Sequence, residues 1–486
     1  MSARTPEIAI VGAGMSGLLM GIQLRRAGIA SFRIYEKAES VGGTWRENSY
    51  PGLACDVPSF FYSYSFETNL DWSRRFSPGP EILAYFERVA EKYDLLPHIR
   101  FGELVASARY ADRGWSIETG SGEKSRSDVL VLATGPLHEK SYPDIAGLDS
   151  FAGAQFHSAA WDHDVPLAGK RIGVIGTGST GVQMTAPLSE VAGHLTVFQR
   201  TAQWIMPVGN KRYSDEQRRR KHRLPFLAKL TRWFFQAIFE SSSAAVVRPG
   251  RLRQKLAADC RKYLATVRDE ELRRKLTPDY EPGCKRLVMS TDFYPALAKP
   301  NVSLETEGIE RVEPGGVVTR DGRLHELDVL VLATGFDAHA WGIDHVVGEG
   351  GRSLKQAWKD GVRSYRSVAM PGFPNLFMLA GPNSPIGNIS VIDIAEVQSR
   401  YILQCIRRIQ RGKARALAPS LAATRAFHAS LLDAMQDTIW VTGCDSWYLD
   451  EDGVPILWPW TARRFHREMR RPKFREWVEA GSELGA

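Results

Sequence analysis

The chain's first decisive stretch is Glu7-Ile-Ala-Ile-Val11-Gly12-Ala13-Gly14-Met-Ser-Gly17, which continues over residues 18–28 as LLMGIQLRRAG. A short β-branched run closed by glycine reads as a buried parallel strand, and the apolar spacing beyond Gly17 reads as a helix. A second strand, Phe32-Arg-Ile-Tyr35, ends at Glu36, 19 residues after Gly17. Strand, glycine turn, helix and acid in this register form a dinucleotide-binding βαβ unit. Gly12 allows the tight turn, Gly14 lets the backbone approach a pyrophosphate, and Gly17 lets the helix lie close to the sheet. The candidate contacts in the turn are therefore Gly12, Ala13, Gly14 and Gly17, with the helix N-terminus facing the phosphates. A carboxylate at Glu36 accepts hydrogen bonds from a ribose diol, so this first site suits an FAD-like nucleotide.

The pattern recurs. Residues 170–175 form a strand, followed by Gly176-Thr177-Gly178-Ser179-Thr-Gly181 and a helix that begins VQMTAPL. The next strand, His194 to Gln199, ends at Arg200-Thr201, again 19 residues past the third glycine. A guanidinium beside a hydroxyl replaces the acid, which suits a 2′-phosphate and selects NADPH over NADH. The eight residues DVLVLATG also occur twice, at 128–135 and 328–335. Each copy reads as a hydrophobic strand closing a nucleotide-binding sheet.

The expected fold class is α/β, with two Rossmann-like dinucleotide-binding domains, the second inserted in the first, plus a helical insertion. The boundaries read 1–145 and 341–486 for the FAD-binding domain, the latter including a C-terminal lid segment. They read 146–210 and 281–340 for the NADP-binding domain and 211–280 for the insertion.

Two longer stretches carry a specific resemblance. Gly42-Gly43-Thr44-Trp45, running on through Tyr50-Pro51-Gly52 to Asp56, resembles the flavin-site motif of class B flavoprotein monooxygenases. Phe151-Ala-Gly153, His157 and Trp161-Asp162 fit the Baeyer–Villiger monooxygenase fingerprint F-x-G-x-x-x-H-x-x-x-W-[P/D] at every defined position. The segment YPGLACDVPSFFYSYSFETNLDWSRRF is most similar to the 4-hydroxyacetophenone monooxygenase-like branch.

The resemblance implies FAD and NADPH as cofactors and a small ketone plus O2 as substrates. NADPH would reduce the flavin, O2 would add at its C4a position as a peroxyflavin, and an ester or lactone would result. It places the active-site arginine at Arg286, within Gly283-Cys284-Lys285-Arg286, with Asp56 as its carboxylate partner. Lys285 would lie near the nicotinamide nucleotide's phosphate, and Gly43, Thr44, Trp45 and Tyr62 would contact flavin. Cys444-Asp445-Ser446-Trp447-Tyr448 is similar to a mobile C-terminal segment whose tryptophan, Trp447, meets NADP. His157 and Trp161 would organise the linker between the cofactor domains.

The chain also departs from the family pattern. Asn388, in Gly381-Pro-Asn-Ser-Pro-Ile-Gly387-Asn388, stands where many members place histidine. The residues after Tyr448, LDEDGVPILWPW, lack the usual glycine-rich run. Both lie where the substrate pocket is expected, so an N- or S-oxygenating flavin monooxygenase stays open as the alternative. The Gly335-Phe336-Asp337 loop, with His339 and Trp341 after it, is ordinary for the family.

Composition narrows the remaining classes. The chain has 486 residues, net charge +8 and five scattered cysteines without C-x-x-C spacing. That spacing indicates no zinc site and no redox disulfide, and reduced thiols in a cytoplasmic protein are the simplest expectation. There is no uncharged apolar run of the ~18 residues a spanning helix needs, and no signal-peptide pattern. Residues 211–280 concentrate the charge, with 19 Lys/Arg against 8 Asp/Glu. They also hold the apolar block Trp233, Phe234, Phe235, Ile238 and Phe239. Such an insertion either packs its aromatics over the substrate pocket behind a solvated basic face, or makes peripheral contact with an anionic membrane. Nucleic acid is not expected, because no recognition fold accompanies the charge. Oligomeric state is not legible.

Overall fold

The computed structural model describes residues 5–338, 345–444, 446–450 and 452–479; His339, Trp341 and Asp445 lie outside them. Along the chain, β1 (Ile8–Val11), α1 (Met15–Arg26), β2 (Phe32–Tyr35), β3 (Ile99–Arg100) and β4 (Val129–Leu132) come first. They precede β5 (Ala154–His157), β6 (Arg171–Ile175), α2 (Ser179–Val191) and β7 (His194–Phe198). Three helices of the basic insertion follow: α3 (Asp215–Arg223), α4 (Phe226–Val247) and α5 (Arg251–Leu264). The chain then returns to strands β8 (Val302–Glu305), β9 (Val329–Leu332) and β10 (Leu376–Met378), and to helix α6 (Val391–Gln410).

Two five-stranded parallel sheets result. The first has the order β10-β4-β1-β2-β3 and the second the order β8-β7-β6-β9-β5. Every strand of the second sheet lies in sequence between β4 and β10 of the first. Parallel strands covered on both faces need apolar residues throughout. Accordingly both VLVL copies, β4 and β9, are wholly buried. Helices α1 and α6 pack together against the first sheet, Leu18, Ile22 and Ile402 being fully covered.

The repeated octapeptide performs the same task twice. Its leading aspartate accepts the backbone N–H of the neighbouring strand's start, Glu7 to Asp128 and Arg171 to Asp328, both at 2.8 Å. Its alanine donates to the strand that precedes the glycine loop, Ala133 to Val11 and Ala333 to Ile175, both at 2.9 Å. The alanine carbonyl then covers the loop's first glycine. A Cβ on Gly12 would meet Ala133 O at 2.7 Å, and one on Gly176 would meet Ala333 O at 2.4 Å.

The cysteine expectation is corrected. Cys284 and Cys444 are joined in a disulfide, with Cα atoms 6.1 Å apart, while Cys55, Cys260 and Cys405 are free and buried. Local spacing could not reveal a pair that lies 160 residues apart in sequence.

Candidate active site

Both glycine turns have the form a pyrophosphate requires. Gly14 and Gly178 cap α1 and α2 without any side-chain hydrogen bond, so the first-turn N–H groups are left to a ligand. A Cβ on Gly17 would fall 1.8 Å from Gly12 O, and one on Gly181 would fall 2.0 Å from Gly176 O, so neither helix could otherwise approach its turn. Beside Gly178 there is open space on the loop's outer side. Ser179 opens α2, half-buried.

Glu36 is buried, with 4% exposure, and lies against the first turn. Its Oε2 accepts from Ala13 N at 2.8 Å, and its Oε1 accepts from Ala38 N at 3.1 Å and from Arg46 at 3.3 Å. The second turn is closed differently: Thr177 Oγ1 donates to Thr201 O at 3.0 Å, and Arg200 stands exposed at the strand end.

From the first turn, Gly43 with φ 53° brings its backbone to Gly14, where a Cβ would sit 3.1 Å from Gly14 Cα. The short helix Thr44–Glu47 starts there, with Thr44 exposed and Trp45 half-buried. Trp45 Nε1 donates to Tyr62 OH at 3.0 Å, and the two rings meet edge-on. Burial pushes the Tyr62 phenol far above its ordinary pKa, so it stays neutral.

Between these residues the chain places Asp56, and across from it Arg286. Arg286 Nε donates to Asp56 Oδ2 at 2.9 Å, with a second bond from Nη2 to the same oxygen. Their side chains are 28% and 22% exposed. The Asp56 charge raises the Arg286 pKa and outweighs the cost of burying the guanidinium, keeping the cation permanently charged. Lys285 turns its ammonium toward the Tyr280 ring, 5.0 Å from the centroid.

Tyr448 and Gly387, to which the sequence reading gave no role, lie here with Trp447 and Asn388. Tyr448 is buried, interacts electrostatically with Arg286 and Asp56, and has its phenol pushed up to about 12 by burial. Gly387 leaves room for its hydroxyl, since a Cβ there would sit 2.4 Å from it. Trp447 meets Tyr448 edge-on with ring centroids 4.4 Å apart, and the Cys284–Cys444 bond ties this segment to the strap that carries Arg286. Asn388, next to Gly387, is 8% exposed, and its amide Nδ2 has no hydrogen-bond partner among the described residues. A buried donor without a protein partner, next to the glycine that faces Tyr448, is what a site built around a polar ring or carbonyl would show.

The two sheets are also linked here. Tyr50 OH donates to Gln183 Oε1 at 2.8 Å, and Gln183 Nε2 donates to Ala54 O at 2.8 Å. His157 bonds Gly335 O through Nε2 at 3.1 Å and accepts from Ala159 N through Nδ1 at 3.1 Å, which fixes a neutral ring at the interdomain turn. Burial lowers its pKa in keeping with that state. Trp161 packs edge-on to Phe156 nearby. The motif tyrosine and the serine–tryptophan pair offered the only sequence signal for Tyr448; nothing signalled Gln183.

These features recur in known proteins. The flavin-binding monooxygenase-like family matches residues 5–414. A monooxygenase of Mycobacterium tuberculosis is 51% identical, covering 96% of this chain and 95% of that protein. A Baeyer–Villiger monooxygenase of Streptomyces coelicolor is 42% identical, covering 97% of this chain and 92% of its own. The solved structure of OTEMO in complex with FAD and NADP superposes with a TM-score of 0.86 at 28% identity, covering 98% of this chain and 100% of that one. A chain with two glycine turns, the fingerprint at 151–162 and relatives this close along its whole length belongs to the flavin-binding monooxygenase-like family, among its Baeyer–Villiger monooxygenases.

Proposed function

We propose that the protein is an FAD- and NADPH-dependent Baeyer–Villiger monooxygenase, inserting one oxygen atom from O2 into a ketone to give an ester or lactone. The observation that carries this reading is the Arg286–Asp56 pair, held between the two nucleotide turns. Bound flavin would accept hydride from NADPH and supply activated oxygen. Gly12, Ala13, Gly14, Gly17 and Glu36 would hold its adenosine diphosphate half, and Gly43, Thr44, Trp45 and Tyr62 its ring half. Gly176, Thr177, Gly178, Ser179, Gly181, Arg200 and Thr201 would hold NADPH, with Lys285 and Trp447 closing over it.

Arg286 then acts on the substrate. A guanidinium that cannot lose its proton stabilises the negative charge that develops on the ketone oxygen as it is attacked. Asp56 offsets that charge in the resting state and orients the fork. Trp45, Tyr62 and Tyr448 surround the pair with aromatic surface, which strengthens its field by limiting water.

The domain partition at 145/146, 210/211, 280/281 and 340/341 belongs to the same reading and is supported by sheet membership. A cytoplasmic location, where NADPH is supplied, is part of the same proposal. Among the described residues no helix is long and apolar enough to cross a membrane.

Aerobic incubation of the purified yellow protein with NADPH and a panel of aryl, cyclic and steroid-like ketones, sulfides and amines tests the assignment. Esters one oxygen heavier than their ketones are expected. Sulfoxides or N-oxides alone would move the protein to the heteroatom-oxygenating alternative, and peroxide as sole product would remove both.

A further inference from the structure

Helices α3 and α4 present a surface that the oxygenation chemistry does not use. On α4, Phe226, Leu230, Trp233, Phe234 and Ile238 are all exposed, Trp233 to 67%. Their spacing puts them on one helical stripe about 18 Å long. This is not a loosely placed helix. Arg232, on its inner face, is 8% exposed and donates to Phe61 O at 3.1 Å and Ser63 O at 2.6 Å, while Phe235 and Phe239 pack on the core. The expectation that the whole aromatic block packs inward therefore holds only for those two rings.

Helix α3, just before it, carries Arg219, Arg220 and Arg223 exposed. Between the two helices lies an open cavity of about 450 Å³, lined by the cations Arg75, Lys211 and Lys221 and by Leu230, Phe234 and Phe235. No carboxylate is among its described lining residues. The Lys221 ammonium lies 3.8 Å from the Tyr213 ring centroid and 3.9 Å from that of Phe60. Burial lowers its pKa to about 8, a cost that an anion in the cavity would offset.

We propose that α3 and α4 dock the enzyme on an anionic phospholipid bilayer, the α4 stripe entering the headgroup–acyl boundary while Arg75, Lys211, Lys221 and the α3 arginines hold lipid phosphates. A tryptophan-bearing apolar stripe flanked by cations is the composition that lies in such an interface. A second copy fits this face worse, because self-pairing would bring the basic α3 helices near one another. The inner face of α4 grips residues 60–63, next to Tyr62, so a docked enzyme would draw a water-insoluble ketone from the bilayer. That consequence rests on the oxygenase reading, whereas docking itself does not.

Flotation of the full-length yellow holoenzyme with extruded vesicles tests docking. One vesicle set is phosphatidylcholine alone and the other contains about one-third phosphatidylglycerol, each run at roughly 0.05 M and 0.5 M salt. Recovery is expected with the anionic vesicles only, falling at high salt. The double variant Trp233→Ser/Phe234→Ser should lower the bound fraction at least ~10-fold. Arg219→Glu/Arg220→Glu should lower it by roughly fivefold or more per cation. Both variants should keep the parent's flavin spectrum and melting midpoint. Equal recovery with neutral vesicles, recovery with neither, variants that float like the parent, or a solution dimer split by Trp233→Ser/Phe234→Ser would each overturn the proposal. Vesicle binding needs no ketone turnover, so its failure is distinct from failure of the ketone panel.

Discussion

Arg286 and Asp56 are each about three-quarters covered, at 28% and 22% side-chain exposure, and their two hydrogen bonds leave the guanidinium oriented and charged. Loss of one preorganised electrostatic donor costs ~10²–10³ in rate. Arg286→Ala should therefore keep flavin reduction by NADPH, followed by stopped-flow absorbance, while ester formation drops by that factor. Arg286→Lys should recover little, since a compact ammonium lacks the planar fork. In the proposed function Arg200 would meet the opposite end of the nicotinamide nucleotide. It is exposed at the end of β7, so its removal disturbs no packing. Charge-assisted hydrogen bonds contribute about 1.5–3 kcal/mol, and partial exposure puts Arg200 at the low end. Arg200→Ala should raise KM for NADPH ~10-fold and leave KM for NADH unchanged, which steady-state kinetics with both nucleotides would show.

At the scale of elements, the Cys284–Cys444 bond joins the strap that carries Arg286 to the segment that carries Trp447 and Tyr448. Thiol titration in denaturant should find about three thiols per chain before reduction and five after, in line with three free cysteines. Five thiols at the outset would show that the bond does not form. Breaking the tether loosens the C-terminal segment without touching Gly12–Gly17 or Glu36. Cys444→Ser should thus keep stoichiometric FAD while KM for NADPH rises several-fold, measured on protein of normal flavin spectrum. The glycine turns show the converse case, an element whose helix approach is set within the turn itself. Within each βαβ unit, the glycine spacing is dictated by carbonyls such as Gly12 O and Gly176 O, which leave no room for a Cβ.

The whole molecule is two parallel sheets linked by Tyr50–Gln183 and Gln183–Ala54, while His157–Gly335 fixes the turn after β9 within the second sheet. Buried histidines set its response to acid. Burial lowers the His428 pKa from 6.5 to about 4. The unfolded chain takes up that proton more readily, so the contribution is complete above pH ~6.5 and lost as pH falls toward ~4. Its size is on the order of 3 kcal/mol. Burial pushes His157 and His325 the same way. For His466 burial is outweighed by the Asp393 carboxylate, which raises its pKa and gives the opposite sign. Melting midpoints measured between pH 4 and 7 should fall with acidity, and His428→Gln should flatten that limb.

The sequence by itself determined the two glycine turns, the acid and the cation that follow their second strands, the repeated β4 and β9 strands, and through its motifs the Arg286–Asp56 pairing. Each βαβ unit is short-range in its register, and Gly17 and Gly181 each record a close contact with the first glycine of their own turn. Only the tertiary structure decided that Cys284 meets Cys444, that Tyr448 joins the arginine, that Gln183 bridges the sheets and that Trp233 and Phe234 face outward. Those contacts join segments 130 to 160 residues apart, or depend on which side of a helix meets the core. Helical spacing defines a stripe, but only the docking of other segments decides whether that stripe is buried.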